Sequence, residues 1–326
     1  MMNIGIYGYG NLGRGVELAV KNSPDAALAG IFTRREPDTV KTLTGAPVYR
    51  ADEVDGFIGK IDVMIICGGS ATDLPVMTPA LAEKFTVVDS FDNHHRIPEH
   101  FGAVDCAAKK GGNAAVISGG WDPGLFSLAR LYSSCVLPDG ESFTFWGKGV
   151  SQGHSDAVRR IEGVKDARQY TVPIQEALDR VRAGKNPVLS VREKHRREVY
   201  AVLAEGADAA RIENEIKTMP DYFADYDTQV HFISEQELKT EHDGLPHGGF
   251  VIRTGKTGLN AEHSERIEFS LALDSNPEFT SSVLLALARG ADRMKKEGKS
   301  GCFTVFDIPP AYLSVKTTQQ LIAEML

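Results

Sequence analysis

The sequence predicts an α/β protein, a doubly wound parallel sheet followed by an α+β domain. Three observations predict it. The first 120 residues alternate short apolar runs with helical spacing, the pattern of a parallel sheet wound right-handedly with helices on both faces. From about Trp121 the texture changes to runs with partial period-two alternation, as in antiparallel sheet. At 326 residues, 42% hydrophobic and 25% charged, the chain is long enough for about two domains with real cores.

Taken in order, "NIGIYG" is a short apolar run ending in Gly, and "LGRGVELAVKNS" has helical spacing through Leu12, Val16, Leu18 and Ala19. "AALAGIFT" reads as a second strand, "DVMIICGG" as a third, "PVMTPALAEK" as a helix, "FTVVDSF" as a fourth strand and "AAVISGGW" as a fifth. Beyond Trp121, "SFTFWGKGVS", "REVYAVLAE", "DTQVHFI", "GFVIRTG" and "SERIEFSLAL" read as strands of an antiparallel sheet suited to a dimer interface. A helix from Thr280, "TSSVLLALARGADRMKKEG", sets Val283, Leu284, Leu287 and Met294 on one face and is expected to pack back on the first domain. The expected division is 1–120 with 277–326 for the first domain and 121–276 for the second.

Charge and cysteine content exclude several classes. A net charge of -8 argues against a nucleic-acid or anionic-membrane partner. The one basic cluster, "REKHRRE", is short and mixed with Glu. Cys67, Cys106, Cys135 and Cys302 form no C-x-x-C pair, so reduced thiols in the cytoplasm are expected, and no metal site, because His and Cys show no ligand spacing. No leader-like or membrane-length apolar run is present, so neither export nor a membrane span is expected.

The chemistry starts at "NIGIYGYGNLGRG". Gly8, Gly10 and Gly13 have G-x-G-x-x-G spacing between a strand and a helix. Gly8 permits the tight turn, Gly10 leaves room for a pyrophosphate, and Gly13 lets the helix approach the strand. The first domain is therefore expected to be Rossmann-type, with phosphates on the helix N-terminus. An NAD enzyme carries Asp or Glu at the end of the second strand. Here "FTRRE" puts Thr33, Arg34 and Arg35 there. A hydroxyl and two guanidiniums suit a 2′-phosphate, so NADP is the expected cofactor. Glu36 falls one place too late to be the usual acid. "CGGSATD" ends the third strand with small residues, and "DSFDNHH" and "SGGWDPG" deliver Asp92 and Asp122 to the sheet's carboxyl edge. Two acids at that edge suit a substrate ammonium.

Together "GYGNLGRG", "FTRR", "GGSATDLP", "SFDNHHRIP", "GGWDPGLFSLAR", "FWGKGVSQGHSDAVRRI", "QYTVP", "TMPDYF", "LPHGG" and "LDSNPEFT" resemble the meso-diaminopimelate D-dehydrogenase family through nearly the whole chain. The resemblance implies a homodimer with a Rossmann domain and a substrate-binding and dimerisation domain. It implies reversible NADP-dependent oxidative deamination at the D-centre of meso-2,6-diaminopimelate. The products are L-2-amino-6-oxopimelate, which cyclises to tetrahydrodipicolinate, with ammonia and NADPH, in lysine and cell-wall precursor synthesis.

The resemblance also assigns residues. Tyr9, Gly10, Asn11 and Leu12 match the phosphate turn, and Thr33, Arg34 and Arg35 the 2′-phosphate contacts. Cys67, Gly68, Gly69 and Ser70 match further cofactor contacts, as do Ser90, Phe91 and Asp92 and the turn of Gly119, Gly120, Trp121, Asp122 and Pro123. Asp92, Trp121, Asp122 and Trp146 resemble the pocket around the reacting centre. Gln152 and Gly153 match substrate contacts, with Asp156 on the same wall. Thr171, Arg197 and His247 resemble the group holding the distal carboxylate, and Asn276 a polar contact at that end. The residues themselves leave Asp92, Asp122 and His154 open as acceptors of the amine proton. They also leave open a dehydrogenase or reductase for another two-acid substrate, or a non-catalytic NADP sensor.

Overall fold

The structure, a computed structural model, describes residues 1–326. It divides into two compact units, Met1–Leu128 with Pro277–Leu326, and Ala129–Asn276. The chain holds fourteen strands, numbered here in chain order.

In the first unit, β1 (Met2–Tyr7), β2 (Ala26–Thr33), β3 (Val48–Arg50), β4 (Val63–Ile66), β5 (Val87–Asp89), β6 (Ala114–Val116) and β14 (Gly301–Phe303) form one sheet in the order β14-β6-β5-β4-β1-β2-β3. Every pairing is parallel. The run 3-2-1-4-5-6 within it is the dinucleotide-binding order, and its direction reverses between β1 and β4. Both faces are covered. Val16, Val20, Leu284, Leu287 and Ala288 pack with Ile4, Ile6 and Ile65 on one side, and Leu74, Leu81 and Val104 with Met64, Ile66 and Val87 on the other. That is why β4 reads as an unbroken apolar run.

Two strands of this sheet carried no sequence signal. β3 and β14 are three residues each, too short for periodicity, and β14 comes from the end of the chain. The long helix spans Asn276–Lys296, four residues ahead of the expected Thr280, with Pro277 in its first turn where a missing N–H costs nothing. It lies close to the glycine helix: a Cβ at Gly15 would stand 2.4 Å from Ser281 Oγ, which donates to the Leu12 carbonyl at 2.9 Å. Leu125 and Leu128 pack on the same core, so the unit reaches Leu128 and the expected edge at 120 falls short.

The second unit corrects the expectation of an antiparallel sheet. It holds two sheets. β8 (Gly149–Val150), β9 (Val164–Pro173), β10 (His195–Leu203) and β11 (Asp227–Phe232) form one, ordered β11-β10-β9-β8. β7 (Gly140–Trp146), β12 (His247–Thr257) and β13 (His263–Leu273) form the other. β10 and β11 run parallel, because the helix Ala209–Thr218 between them serves as a crossover. Its Ile212 and Ile216 pack on Val199 and Ala201 of β10. No helix of the chain is long and apolar enough to cross a membrane.

Candidate active site

The first unit's candidate residues begin with backbone. Gly8 has φ +97°, and a Cβ there would stand 2.8 Å from the Cys67 carbonyl oxygen. At Gly13 a Cβ would stand 2.3 Å from the Gly8 carbonyl oxygen. At Gly10 it would meet nothing within 4 Å. Two glycines are thus required by close approach, while the middle one faces open space. Gly10 caps the helix Asn11–Lys21 without a side-chain bond, and no acid occupies the first turn. The leading N–H groups are therefore left without a side-chain acceptor or a first-turn acid. The Cys67 N–H binds the Tyr7 carbonyl at 2.7 Å, so this turn sits at the reversal point between β1 and β4. Burial pushes the Cys67 thiol up to about 12, leaving it inert.

Tyr9 contributes only backbone here. Its side chain is buried and donates to Glu17, and burial with that bond pushes the phenol up to about 12. The Tyr9 carbonyl accepts from Arg35 Nη2 at 2.5 Å. Asn11 is exposed and Leu12 half-buried. At the end of β2, Thr33 is buried, and its Oγ1 accepts the Arg35 N–H at 3.2 Å. Arg34 pairs with Asp73 at 3.1 Å, and Asp73 also accepts the Gly69 N–H at 3.1 Å. Glu36, the near-miss acid, is engaged by Arg50 at 2.7 Å. Arg50 and Asp73 are partners that sequence spacing did not reveal.

At the next strand ends, Gly68 is crowded, since a Cβ would meet Asp73 Cβ at 2.8 Å. Ser70 Oγ accepts the Asp92 N–H at 3.1 Å, which ties the β4 and β5 loops. Asp92 is exposed, Ser90 half-buried and Phe91 fully buried. The Gly119 N–H binds the Asp89 carbonyl at 2.8 Å, and Gly120 accepts from the Leu125 N–H at 3.0 Å. Trp121 is buried, edge-on to Phe126 at 5.3 Å, with Asp122 and Pro123 half-buried beside it.

The second unit is built on side chains. Thr171 of β9 faces Arg197 of β10 in register, and the guanidinium donates to the Thr171 hydroxyl. Arg197 is 7% exposed and lies over the Tyr226 ring, 3.9 Å from its centroid. No carboxylate comes within ion-pair distance of it, and its Nε has no partner. Three imidazoles lie within range of its charge instead. His154 bonds Ser151 Oγ through Nδ1 at 2.7 Å. His195 Nε2 accepts the Trp146 N–H at 2.8 Å, and its ring stacks on Trp146 at 5.3 Å. His247 packs on Gly149, where a Cβ would stand 2.4 Å from its Cγ. Burial and then the Arg197 charge hold His154 and His195 down to about 3 and also lower His247. The result is a desolvated cation among neutral rings, an arrangement that an anion completes.

Gln152 and Gly153 are exposed at the head of the helix Gln152–Arg159. Asp156 on that helix is exposed and pairs with Arg159. The Asn276 N–H binds the Leu245 carbonyl at 2.9 Å at the head of the long helix. His195 and Tyr226 were not expected in the site. Period two would have found the first, since His195, Arg197 and Val199 share one face of β10.

The strand order and glycine turn define a dinucleotide-binding protein, here with a second α+β unit. Residues 120–275 match the family model described as the diaminopimelic acid dehydrogenase C-terminal domain. A meso-diaminopimelate D-dehydrogenase of Acetivibrio thermocellus is 58% identical over 326 residues, covering 100% of this chain and 98% of the relative. The structure of the C. glutamicum DAP dehydrogenase in complex with DAP is similar at 45% identity and TM-score 0.93, covering 100% of this chain and 99% of that one. An engineered D-amino acid dehydrogenase bound to NADP+ is similar at 44% identity and TM-score 0.89, with the same coverage. The chain belongs to the meso-diaminopimelate D-dehydrogenase family.

Proposed function

We propose that this chain catalyses the reversible NADP-dependent oxidative deamination of meso-2,6-diaminopimelate at its D-centre. The products are L-2-amino-6-oxopimelate, in equilibrium with tetrahydrodipicolinate, ammonia and NADPH. The observation that carries the reading is Arg197, a buried guanidinium with no carboxylate of its own chain. A substrate with a carboxylate far from its reacting carbon supplies the missing anion, and Thr171 and His247 stand beside it to share that carboxylate.

The residues of the first unit fit NADP. The open space at Gly10 suits a pyrophosphate, and Thr33, Arg34 and Arg35 at the end of β2 suit a 2′-phosphate. When bound, NADP takes the hydride from the D-α-carbon and so supplies the redox chemistry. The chain's part is orientation and charge. Asp92 and Asp122 are the anions for the reacting nitrogen, which passes through cationic forms on the way to the imine that water hydrolyses. His154 does not fit that role, because burial and then the Arg197 charge oppose the protonated ring it would become. Within the first unit Trp121 serves as a rigid apolar wall beside Asp122, and within the second Trp146 does the same, with Gln152, Gly153 and Asn276 as polar contacts. Asp156, paired to Arg159, is the weakest member of the set.

We place the enzyme in the cytoplasm as a homodimer without nucleic-acid or membrane partners, a reading supported by its four free thiols and its family. Light scattering on the purified protein tests the dimer. The primary experiment mixes the protein with NADP and either meso- or LL-diaminopimelate and follows NADPH absorbance. Turnover of the meso isomer alone is expected. Comparable turnover of the LL isomer refutes the assigned orientation, and no turnover of either refutes the reaction.

A further inference from the structure

We propose that Asp89 is a positioning residue that sets the two loops carrying Asp92 and Asp122, a role that rests on the cofactor reading above. Asp89 ends β5 and is fully buried, with no Lys or Arg partner. Its Oδ1 accepts the Phe91 N–H at 3.0 Å and the Ser118 N–H at 2.9 Å. Its Oδ2 accepts the Thr78 hydroxyl at 2.8 Å and faces His100 Nε2 at 2.7 Å. Its own carbonyl takes the Gly119 N–H at 2.8 Å. One side chain thereby joins the start of the β5 loop, the start of the β6 loop and two helices.

Two further features point to placement rather than fold stability alone. Ser118 has φ +56°, the left-handed region that a serine enters at a cost, and the Asp89 carboxylate receives its N–H there. His100 is buried and stacks on Phe91 at 4.2 Å, and its Nδ1 has no partner. A hydrogen on Nδ1 would be stranded, so the ring's hydrogen sits on Nε2 and is donated to Asp89. Four donors on one carboxylate demand a group that only accepts, which an amide cannot reproduce. Asp92 directly follows the Phe91 anchor and Asp122 comes four residues after the Ser118 anchor, so a slack anchor displaces the acids from the reacting nitrogen.

The test compares the full-length protein with Asp89→Asn, Thr78→Val, His100→Leu, His100→Gln and Met294→Ala. Met294 lies in the core of the same unit, away from these loops, and serves as a variant destabilised without touching them. Amide exchange by mass spectrometry on the protein without ligand reads the loops directly. Calorimetry reads NADP affinity, and turnover of meso-diaminopimelate reads the acids. In Asp89→Asn, exchange at 90–92 and 118–120 should quicken about tenfold, NADP should bind several-fold more weakly, and kcat should fall on the order of tenfold. KM for meso-diaminopimelate, set by Arg197, should move less than kcat. His100→Leu and Thr78→Val should follow in the same direction, and they carry the test if Asp89→Asn does not fold. His100→Gln, which keeps a donor, should recover most of the kcat. Loops exchanging at the native rate in Asp89→Asn, or a Met294→Ala loss as large as that of Asp89→Asn, overturns the proposal. A native protein that binds NADP but does not turn over meso-diaminopimelate defeats the reaction assigned above and leaves exchange and NADP affinity to decide this one.

Discussion

The two units hold their ligand-directed groups by opposite means. In the first, the decisive features are absences of side chain: Gly8 and Gly13 let backbones meet, and Gly10 leaves space. In the second, they are side chains in register across strands, Arg197 against Thr171 with His247 on Gly149. The first kind of site is written within one turn of sequence. The second needs four strands to be in place before it exists. A backbone site tolerates change at most neighbouring side chains and fails at its glycines. A side-chain site fails by charge.

The largest expected effect breaks the second unit. Arg197→Met removes the buried cation and leaves a substrate carboxylate without its partner. The cost should be about 2–5 kcal/mol in kcat/KM for meso-diaminopimelate. NADP affinity should hardly change. Apolar substitution of Thr171, Arg197 and His247 together should also raise the kcat/KM ratio of D-leucine over meso-diaminopimelate, because an apolar side chain no longer strands polar groups. If both activities fall together and the ratio stays put, the three residues are structural and the distal carboxylate binds elsewhere.

This contrast also sets what could be read in advance. The glycine turn was legible because strand, turn and helix follow one another and each glycine has a local reason. β3 and β14 were not, since three residues show no period and the partner of β14 lies far away in sequence. In the second unit, Arg197 sits inside "KHRREVY", which by itself reads as a solvated charge run. Only its pairing with β9 buries it. The family resemblance, not periodicity, singled it out. The parallel β10–β11 pair was missed for a related reason: direction is fixed by the connection through Ala209–Thr218, not by the pattern of either strand.

The next effect tests the cofactor half at its edge. Arg35→Ala should weaken NADP by about 1.5–3 kcal/mol, tenfold or more, and hardly affect NAD. Arg34→Ala should do less, because Arg34 is already committed to Asp73. Equal use of NADP and NAD by the unaltered protein would remove the 2′-phosphate role from both. A smaller effect separates the glycines from one another. Gly13→Ala should destabilise the first unit by about 1–3 kcal/mol, since backbone must move to admit the methyl group. Gly10→Ala should leave the melting temperature near native and weaken NADP alone. Equal loss of stability in both variants would show that the space at Gly10 is not a ligand's.

The smallest effect is a slope, and it belongs to the second unit. His154 and His195 stand near 3, below their usual 6.5, because burial and then Arg197 oppose their charged form. The unfolded chain therefore binds protons at these rings that the folded chain refuses. Stability from them is fully present above about pH 6.5 and is lost as pH falls from there toward about 3. Each ring contributes up to ~1.4 kcal/mol per pH unit inside that window. Measurement between pH 6.5 and 5 avoids the carboxylates, which titrate lower in unfolded chains. The two units need not unfold together, so a local reporter is required. The chain has two tryptophans, and in a Trp121→Phe background Trp146, stacked on His195, reports the second unit alone. Urea midpoints of that signal should fall with pH across the window. Adding His154→Gln should flatten the fall by up to one proton, while changes to the glycine turn should leave it unaltered. A midpoint that does not move between pH 6.5 and 5 would mean these rings take up protons in the folded protein. The guanidinium would then have charged neighbours, and the case for an anion beside it would weaken accordingly.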